Sequence, residues 1–422
     1  MDTLVPRTLD RERLIAWYRA NRRRSTEIFA LIDPAAYECA PIPLRHPFVF
    51  YDGHLPGFSF NTLVRNALGR PSIDRTLEDL FERGIDPSVA GGDGGRPRLT
   101  WPAPAAVRAF AAACDGAVLD ALANAPIDDP AKPDLVDGEA AYTILEHEQM
   151  HHETLLYIVQ RLAEEHKTVP AFEHRDETPP AREPVAVAAG IATLGVRRGN
   201  APFGWDNEYE EHAVAVRSFG LDVYDVTNGE YLAFVRAGGP VPPCWLERDG
   251  AWCLRTLGEI IPLPASWPVY ATQEQAAAFA AWSGARLMTE PEYHRAAYGT
   301  PAGHERPQPW GDASPGASRG NFDFRRFDPE PVGSSPLGAS AWGIEDLIGN
   351  GWEWTATPFA PFDGFAAMAS YKPYSTDFFD GTHFVLKGAS PVTARALVRR
   401  SFRNWFYGDY PYMFATFRRA WD

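Results

Sequence analysis

The sequence predicts an α+β protein in two parts, a helical N-terminal half and a C-terminal half of loops and short strands. Three observations carry this. Apolar residues recur at helical spacing as far as Glu165, the stretch 170–184 is polar and holds four prolines, and tryptophan and proline become more frequent beyond it. A chain of 422 residues is long enough for two or three domains with their own cores. The expected division is a helical bundle over 1–182 and a loop-rich domain over 183–422.

Arg11–Leu31 reads as a first helix, with Leu14, Trp17, Tyr18, Ile28 and Leu31 on one face and Asp10 placed to cap it. Pro41–Arg45 is a proline-punctuated connection. A second helix is predicted over Phe48–Leu68, and it carries His54. A looser segment with the glycine turn Gly91–Gly95 follows. Ala105–Ala123 gives a third helix. Gly138–Glu165, free of proline and internal glycine, gives a fourth. Helices of this length suit an up-and-down four-helix bundle, whose interior often holds metal ligands on facing helices. The polar stretch Pro170–Pro184 reads as the interdomain linker. Beyond it, Val185–Leu194 and His212–Val223 read as strands, and Val226–Gly238 and Thr272–Gly284 as helices. From Ile344 onward loops and short strands are expected.

Composition narrows the function. A net charge of −15 opposes nonspecific nucleic-acid binding, and Arg22–Arg24 is too short a basic run to reverse that. The sequence has no secretory apolar core at its N-terminus and no 18-residue apolar span, so no membrane partner is expected. Four cysteines without a C-x-x-C pair fit a reducing cytoplasm, which is the expected location.

Chemistry concentrates in Leu145–Glu153, which reads LEHEQMHHE. His147 and His151 lie about 40° apart around a helix, so their imidazoles project side by side. Two imidazoles one turn apart make half of a metal site, against the alternative of a hydrogen-bonded core pair. Glu153 falls about 200° from His151 and is a poor ligand for the same ion. The string is also H-E-x-x-H, in which Glu148 would be the general base of a zinc hydrolase. Neither His166 nor His174 stands at the extended downstream spacing that such an enzyme uses for its third ligand.

The second half resembles the formylglycine-generating (sulfatase-modifying, C-type-lectin-like) fold. The resemblance is carried by Phe203–Glu208 (FGWDNE), Val226–Tyr231 (VTNGEY), Gly284–Glu290 (GARLMTE), Pro309–Asp312 (PWGD) and Gly349–Thr355 (GNGWEWT). No cysteine follows Cys253, so formylglycine formation itself is not expected. The first half resembles the DinB-like bundle. Joined in this order, the halves resemble the non-haem iron sulfoxide synthases of ergothioneine and ovothiol biosynthesis. That resemblance implies an Fe(II) cofactor held by His147 and His151, with His54 of His46–His54 as third ligand and His46 as second choice. It implies an enzyme that uses dioxygen to join a thiol or selenium donor to the imidazole of hercynine.

Further roles follow from the same resemblance. Tyr371 matches the catalytic phenol, and Tyr374 matches a residue that binds the trimethylated histidine. In Ser401–Phe406, Asn404 is placed to meet a carboxylate and Trp405 a quaternary ammonium, as aromatic cages do. Enzymes that take γ-glutamylcysteine place an aspartate where this chain has Phe406, and commonly a glutamine where it has Met150. Both changes remove polar recognition. With the tail Tyr410–Phe414 they resemble most the selenoneine synthase branch, which uses a selenosugar. The alternatives are cysteine or γ-glutamylcysteine as donor, an ovothiol-type reaction on histidine, the zinc hydrolase, and a metal-free binding module built on the lectin-like half.

Overall fold

The computed structural model describes residues 9–43, 45–82, 100–177, 181 and 183–422; the glycine turn expected at Gly91–Gly95 lies outside them. The chain forms two compact units. One comprises Met1–Val169 with Met368–Lys372, the other Pro170–Ala367 with Pro373–Asp422. The break therefore falls after Val169 rather than after 182. A short piece from the C-terminal half groups with the helices.

In the first unit, α1 (Arg11–Phe29) starts at Asp10, whose carboxylate accepts the Arg13 N–H. Helix α2 (Phe48–Ser59) is buried nearly all round, the pattern of a central helix. It contains Pro56 and continues as a π-helical segment, Phe60–Ala67, so the predicted helix Phe48–Leu68 is one run with two geometries. The wider bonding, with Leu68 N–H reaching Leu63 O, sets in one turn after the proline that lacks an N–H for the regular ladder. A short helix that the periodicity missed, α3 (Arg75–Leu80), is capped by Asp74. Helix α4 (Pro104–Asn124) begins on proline, and Arg11 donates to the carbonyls of Leu122 and Ala125 at its end. Helix α5 (Glu139–Gln160) follows Gly138 in the left-handed region (φ 74), where a Cβ would also meet Leu9 at 2.6 Å. Helix α5 packs on α1 and α2, and α2 on α4.

The second unit has β1 (Val185–Val187), β2 (Gly190–Leu194), β3 (His212–Val216), β4 (Phe219–Leu221), β5 (Trp245–Arg248), β6 (Ala251–Arg255), β7 (Ile260–Pro262), β8 (Arg286–Leu287), β9 (Gly351–Pro358), β10 (His383–Ala389), β11 (Asn404–Tyr407), β12 (Ala415–Thr416) and β13 (Arg419–Trp421). Among the described residues they pair as sheets ordered β1-β4-β13-β8, β11-β10-β9-β12, β5-β6-β7 and β2-β3. Strand β12 joins β9 in parallel, whereas β10 runs antiparallel to both β9 and β11. Helices α6 (Asn228–Arg236), α7 (Gln273–Trp282) and α8 (Glu290–Tyr298) each open on a capping box, Thr227/Glu230, Thr272/Gln275 and Thr289/Glu292. A last helical turn, α9, covers Pro373–Thr376.

Buried ion pairs join the sequence motifs of this unit. Glu208 takes two bonds from Arg399 and one from Ser401 at 2.6 Å. Glu290 takes two from Arg403, at 2.9 and 3.1 Å. Glu353, in the W-E-W-T motif, takes two from Arg418, at 2.8 and 2.7 Å. Planar guanidinium–carboxylate forks of this kind fix geometry as well as charge.

Part of the stretch expected to be a linker belongs to this unit. Asp176 accepts the N–H groups of Ala265 and Ser266, and Arg175 O accepts the indole N–H of Trp267 at 2.7 Å. An acidic side chain that satisfies two backbone donors gives a polar, proline-rich segment a fixed place without apolar packing. Among the described residues no helix is long and apolar enough to cross a membrane.

Burial pushes the Glu208 carboxyl up, but Arg399, Ser401 and the Trp205 N–H outweigh it and hold it below the ordinary glutamate range. Its stabilisation is therefore complete above the unfolded-state value and is lost as pH falls through the lower folded value. Glu208→Gln is expected to cost roughly 2–3 kcal/mol at neutral pH. The gap to the parent chain should close below about pH 4. Melting temperatures across that range check it, and a pH-independent gap contradicts the assignment.

Candidate metal centre

Three histidines of the first unit converge. His54 comes from the middle of α2, and His147 and His151 from successive turns of α5. One ring nitrogen from each lies within 4.8 Å of the others. Ring centroids are 5.2 Å apart for His54–His147, 5.0 Å for His54–His151 and 4.5 Å for His147–His151. His46 stacks on Phe50 instead and does not join the group. Glu153 is buried and lies outside it too.

Aromatic faces back the imidazoles. Phe58 stacks on His147 at 3.5 Å and 13°, Phe50 on His54 at 4.9 Å and 19°, and Tyr51 tilts against His151 at 5.6 Å. Phe50, His54 and Phe58 are spaced by four along α2 and share one face. That spacing is a signal readable in the sequence.

Protonation suits metal binding. Burial pushes His54 down to about 4, against the opposing effect of its bond to Phe81 O. Burial first, and the crowding of the other imidazoles second (joined by Arg45 for His151), pushes His147 and His151 well below the ordinary histidine value. All three are neutral near pH 7, the form that ligates. Each also holds a buried ring nitrogen that no protein atom satisfies: Nε2 of His54 and Nδ1 of His147 and His151. Orphaned donors or acceptors are costly in a protein interior, and one on each member of a three-histidine cluster fits a site for an ion. An all-imidazole set suits iron, zinc or copper and leaves positions open for substrates.

Tyr371 belongs to this unit through Met368–Lys372. Ser370 N–H donates to Glu139, and the Ser370 and Thr143 hydroxyls lie 2.9 Å apart, which fastens the segment to the first turns of α5. The Tyr371 ring then lies 6.1 Å from that of His147 and 5.1 Å from that of Phe58. Met150, half-buried, sits on α5 beside His151. The other predicted substrate residues lie in the second unit. There Trp205 stacks on Tyr374 at 3.9 Å, Tyr374 meets Trp405 edge-on at 5.0 Å, and Phe359 stacks on Trp405 at 4.3 Å. Asn404 accepts the Trp405 N–H, and Phe406 stacks on Tyr410 at 4.8 Å.

The base required by a zinc hydrolase is committed elsewhere. Glu148 is fully buried, paired with Arg22 at 2.8 Å, and accepts the Ser25 hydroxyl at 2.6 Å. It projects toward α1, about 100° round the helix from His147. The H-E-x-x-H reading thus supplies two ligands and no base.

Known proteins share this layout. Residues 18–155 match the DinB superfamily, and residues 169–422 match the sulfatase-modifying factor enzyme 1-like domain. Fold and site together define a two-part protein with a three-histidine centre. The hercynine oxygenase of Mycolicibacterium thermoresistibile is 34% identical over 90% of this chain and 88% of its own. That of Mycobacterium tuberculosis is 34% identical over 97% and 98%. Ergothioneine biosynthesis protein 1 of Schizosaccharomyces pombe is 28% identical over 88% of this chain and 51% of its own. The chain belongs to the hercynine oxygenase family.

Glu148→Gln is expected to keep metal content and turnover while lowering stability by about 1–3 kcal/mol. Lost turnover with metal and fold intact would return Glu148 to the role of base.

Proposed function

We propose that this chain is a non-haem iron oxygenase that joins a selenium donor, a selenosugar, to the imidazole carbon between the two ring nitrogens of hercynine. The observation that carries the reading is the convergence of His54, His147 and His151 with the Tyr371 ring 6.1 Å from His147. The names of its relatives support hercynine as the acceptor. Ferrous iron, when bound, supplies the one-electron chemistry that dioxygen requires.

The chain's own residues do the rest. His54, His147 and His151 hold the ion and leave positions for both substrates, and Phe50 and Phe58 keep water from the imidazole faces. Holding reactants side by side is worth on the order of 7–11 kcal/mol in favourable cases. Tyr374 and Trp405 take the trimethylammonium by cation–π attraction, and Asn404 meets the carboxylate. Tyr371 delivers a proton or hydrogen as oxygen is reduced. Dioxygen takes four electrons overall. Two are released as C–H and Se–H give way to C–Se, and two as selenium becomes a selenoxide; the two hydrogens leave as one water.

Donor choice rests on Phe406 and Met150. Phe406 stacks on Tyr410 and presents an aromatic face where an ammonium would need a carboxylate. An apolar face suits the C–H side of a sugar ring better than the amino group of γ-glutamylcysteine. Cysteine or another thiol as donor, to give a sulfoxide, is the second reading, and the family relationship favours it. A cytoplasmic setting fits the reduced donor and the absence of disulfides among the described residues.

His147→Ala is expected to abolish iron binding and turnover with the circular dichroism spectrum unchanged; retained turnover ends the metal assignment. Tyr371→Phe should keep iron and divert turnover toward oxidation of the donor, seen as a changed product ratio by mass spectrometry. The donor is decided by aerobic assays with hercynine and iron, offering a selenosugar, cysteine and γ-glutamylcysteine in parallel. A product from thiols alone overturns the selenium reading. No oxygen uptake with any donor overturns the oxygenase reading.

A further inference from the structure

His54 has a protein partner for its second ring nitrogen. Its Nδ1 lies 2.7 Å from the carbonyl oxygen of Phe81. A carbonyl oxygen only accepts, so Nδ1 carries the hydrogen and Nε2, the buried orphan, is left as the ligating atom. Phe81 is the residue that ends α3, and its carbonyl is one of the last-turn oxygens that a helix cannot satisfy itself.

The approach of α3 to α2 that brings this carbonyl into place has a sequence condition. A Cβ on Gly53, the residue before His54, would lie 2.5 Å from the Phe81 ring. Glycine there lets the ring lie against α2. The ring is fully buried and also stacks near Phe110 at 5.9 Å and Trp101 at 6.4 Å.

The start of α3 is tied just as firmly, by one carboxylate. Glu78 is fully buried. Its Oε1 accepts the Ser72 hydroxyl at 2.7 Å and the N–H groups of Ile73 and Asp74 at 2.7 and 3.1 Å. Its Oε2 accepts Arg65 at 2.9 Å. Arg65 belongs to the π-helical segment that continues the helix of His54, and Arg65 also reaches Glu82 at 3.3 Å. Helix α3 is therefore strapped to the ligand-bearing helix at both ends, by Arg65–Glu78 at one and by His54–Phe81 at the other.

We propose that Glu78 is a positioning residue for the metal centre, holding the Phe81 carbonyl where it fixes the tautomer and ring orientation of His54. The inference rests on His54 being a ligand. A hydrogen bond to the remote nitrogen of a ligating imidazole also raises its basicity, and loss of such a partner typically weakens metal affinity about 10–100-fold. Glu78 lies outside the three-histidine cluster, so its effect reaches the site through Phe81.

Cobalt(II) binding to the purified full chain tests this without turnover, since both affinity and the visible absorption bands report on the ligand field. Glu78→Ala is expected to weaken cobalt binding about 10–100-fold and to shift the bands, with far-UV circular dichroism showing a folded protein. Glu78→Gln keeps an acceptor oxygen for Ser72 and the two N–H groups, and should lose less. His54→Ala, run in parallel, separates the two ideas. If it binds cobalt like the parent chain, the ligand assignment falls. If it loses cobalt while folded Glu78→Ala keeps the parent affinity and spectrum, the positioning role is overturned. Should Glu78→Ala not fold, Arg65→Gln releases the strap alone, and parent-like binding in both Arg65→Gln and Glu78→Gln overturns the proposal.

Discussion

A buried ion pair sets the rotation of the helix on which two of the three imidazoles ride. Arg22 on α1 reaches Glu148 on α5 at 2.8 Å, and Ser25 adds a second bond to the same oxygen. Next to them His152 contacts Ser25 at 2.9 Å, and Tyr18 donates to Asp115 at 2.7 Å. Pairs of this kind add little net stability compared with apolar packing, yet breaking one leaves an uncompensated buried charge at roughly 3–5 kcal/mol. A turn of α5 by one residue, about 100°, would carry the Glu148 carboxylate toward the phenylalanines of α2 and the imidazoles away from them. That penalty is comparable with much of the stability of an ordinary domain. The polar residues between the histidines thus aim the face they do not occupy.

The second unit uses the same physics for another end. Its W-E-W-T, T-E-P and F-G-W-D-N-E motifs supply Glu353, Glu290 and Glu208, and the C-terminal stretch supplies Arg418, Arg403 and Arg399 as their partners. A fold with short strands and long loops has little regular hydrogen bonding to hold its chain crossings. Forked arginine–carboxylate bonds between distant segments take that role. Lys387, buried and pushed down to about 8 by burial, adds bonds to the carbonyls of Arg400 and Phe402 in the same region.

Features with local causes were legible. Periodicity placed α1, α4 and α5 to within a few residues, and the spacing of His147 and His151 placed both rings on one face. The third histidine came from resemblance, since nothing local distinguishes His54 from His46. Other features depend on partners far along the chain. Glu148 could be read as a catalytic base because Arg22 lies 126 residues earlier. The Phe81 carbonyl that meets His54 is a backbone group, invisible to any pattern of side chains. Helix α8 did announce itself, through threonine followed three residues later by glutamate with proline between, but at nine residues it is too short for periodicity to show. The length of β9 and β10 was hidden for a different reason. Over Gly351–Thr355 and through most of β10 both faces are buried, so the alternation that marks a half-exposed strand is missing.

The helical unit is discontinuous in sequence, because Met368–Lys372 belongs with helices that end two hundred residues earlier. A ribosome therefore delivers His54, His147 and His151 long before Tyr371, which follows the last of them by some 220 residues. At roughly 5–20 residues per second the interval is on the order of 10–40 s. During it a nascent chain can close its imidazole cluster with no phenol beside it. The three imidazoles and the ring 6.1 Å from His147 are thus made in two instalments, and the stretch of chain that completes this unit is the last of it to be synthesised.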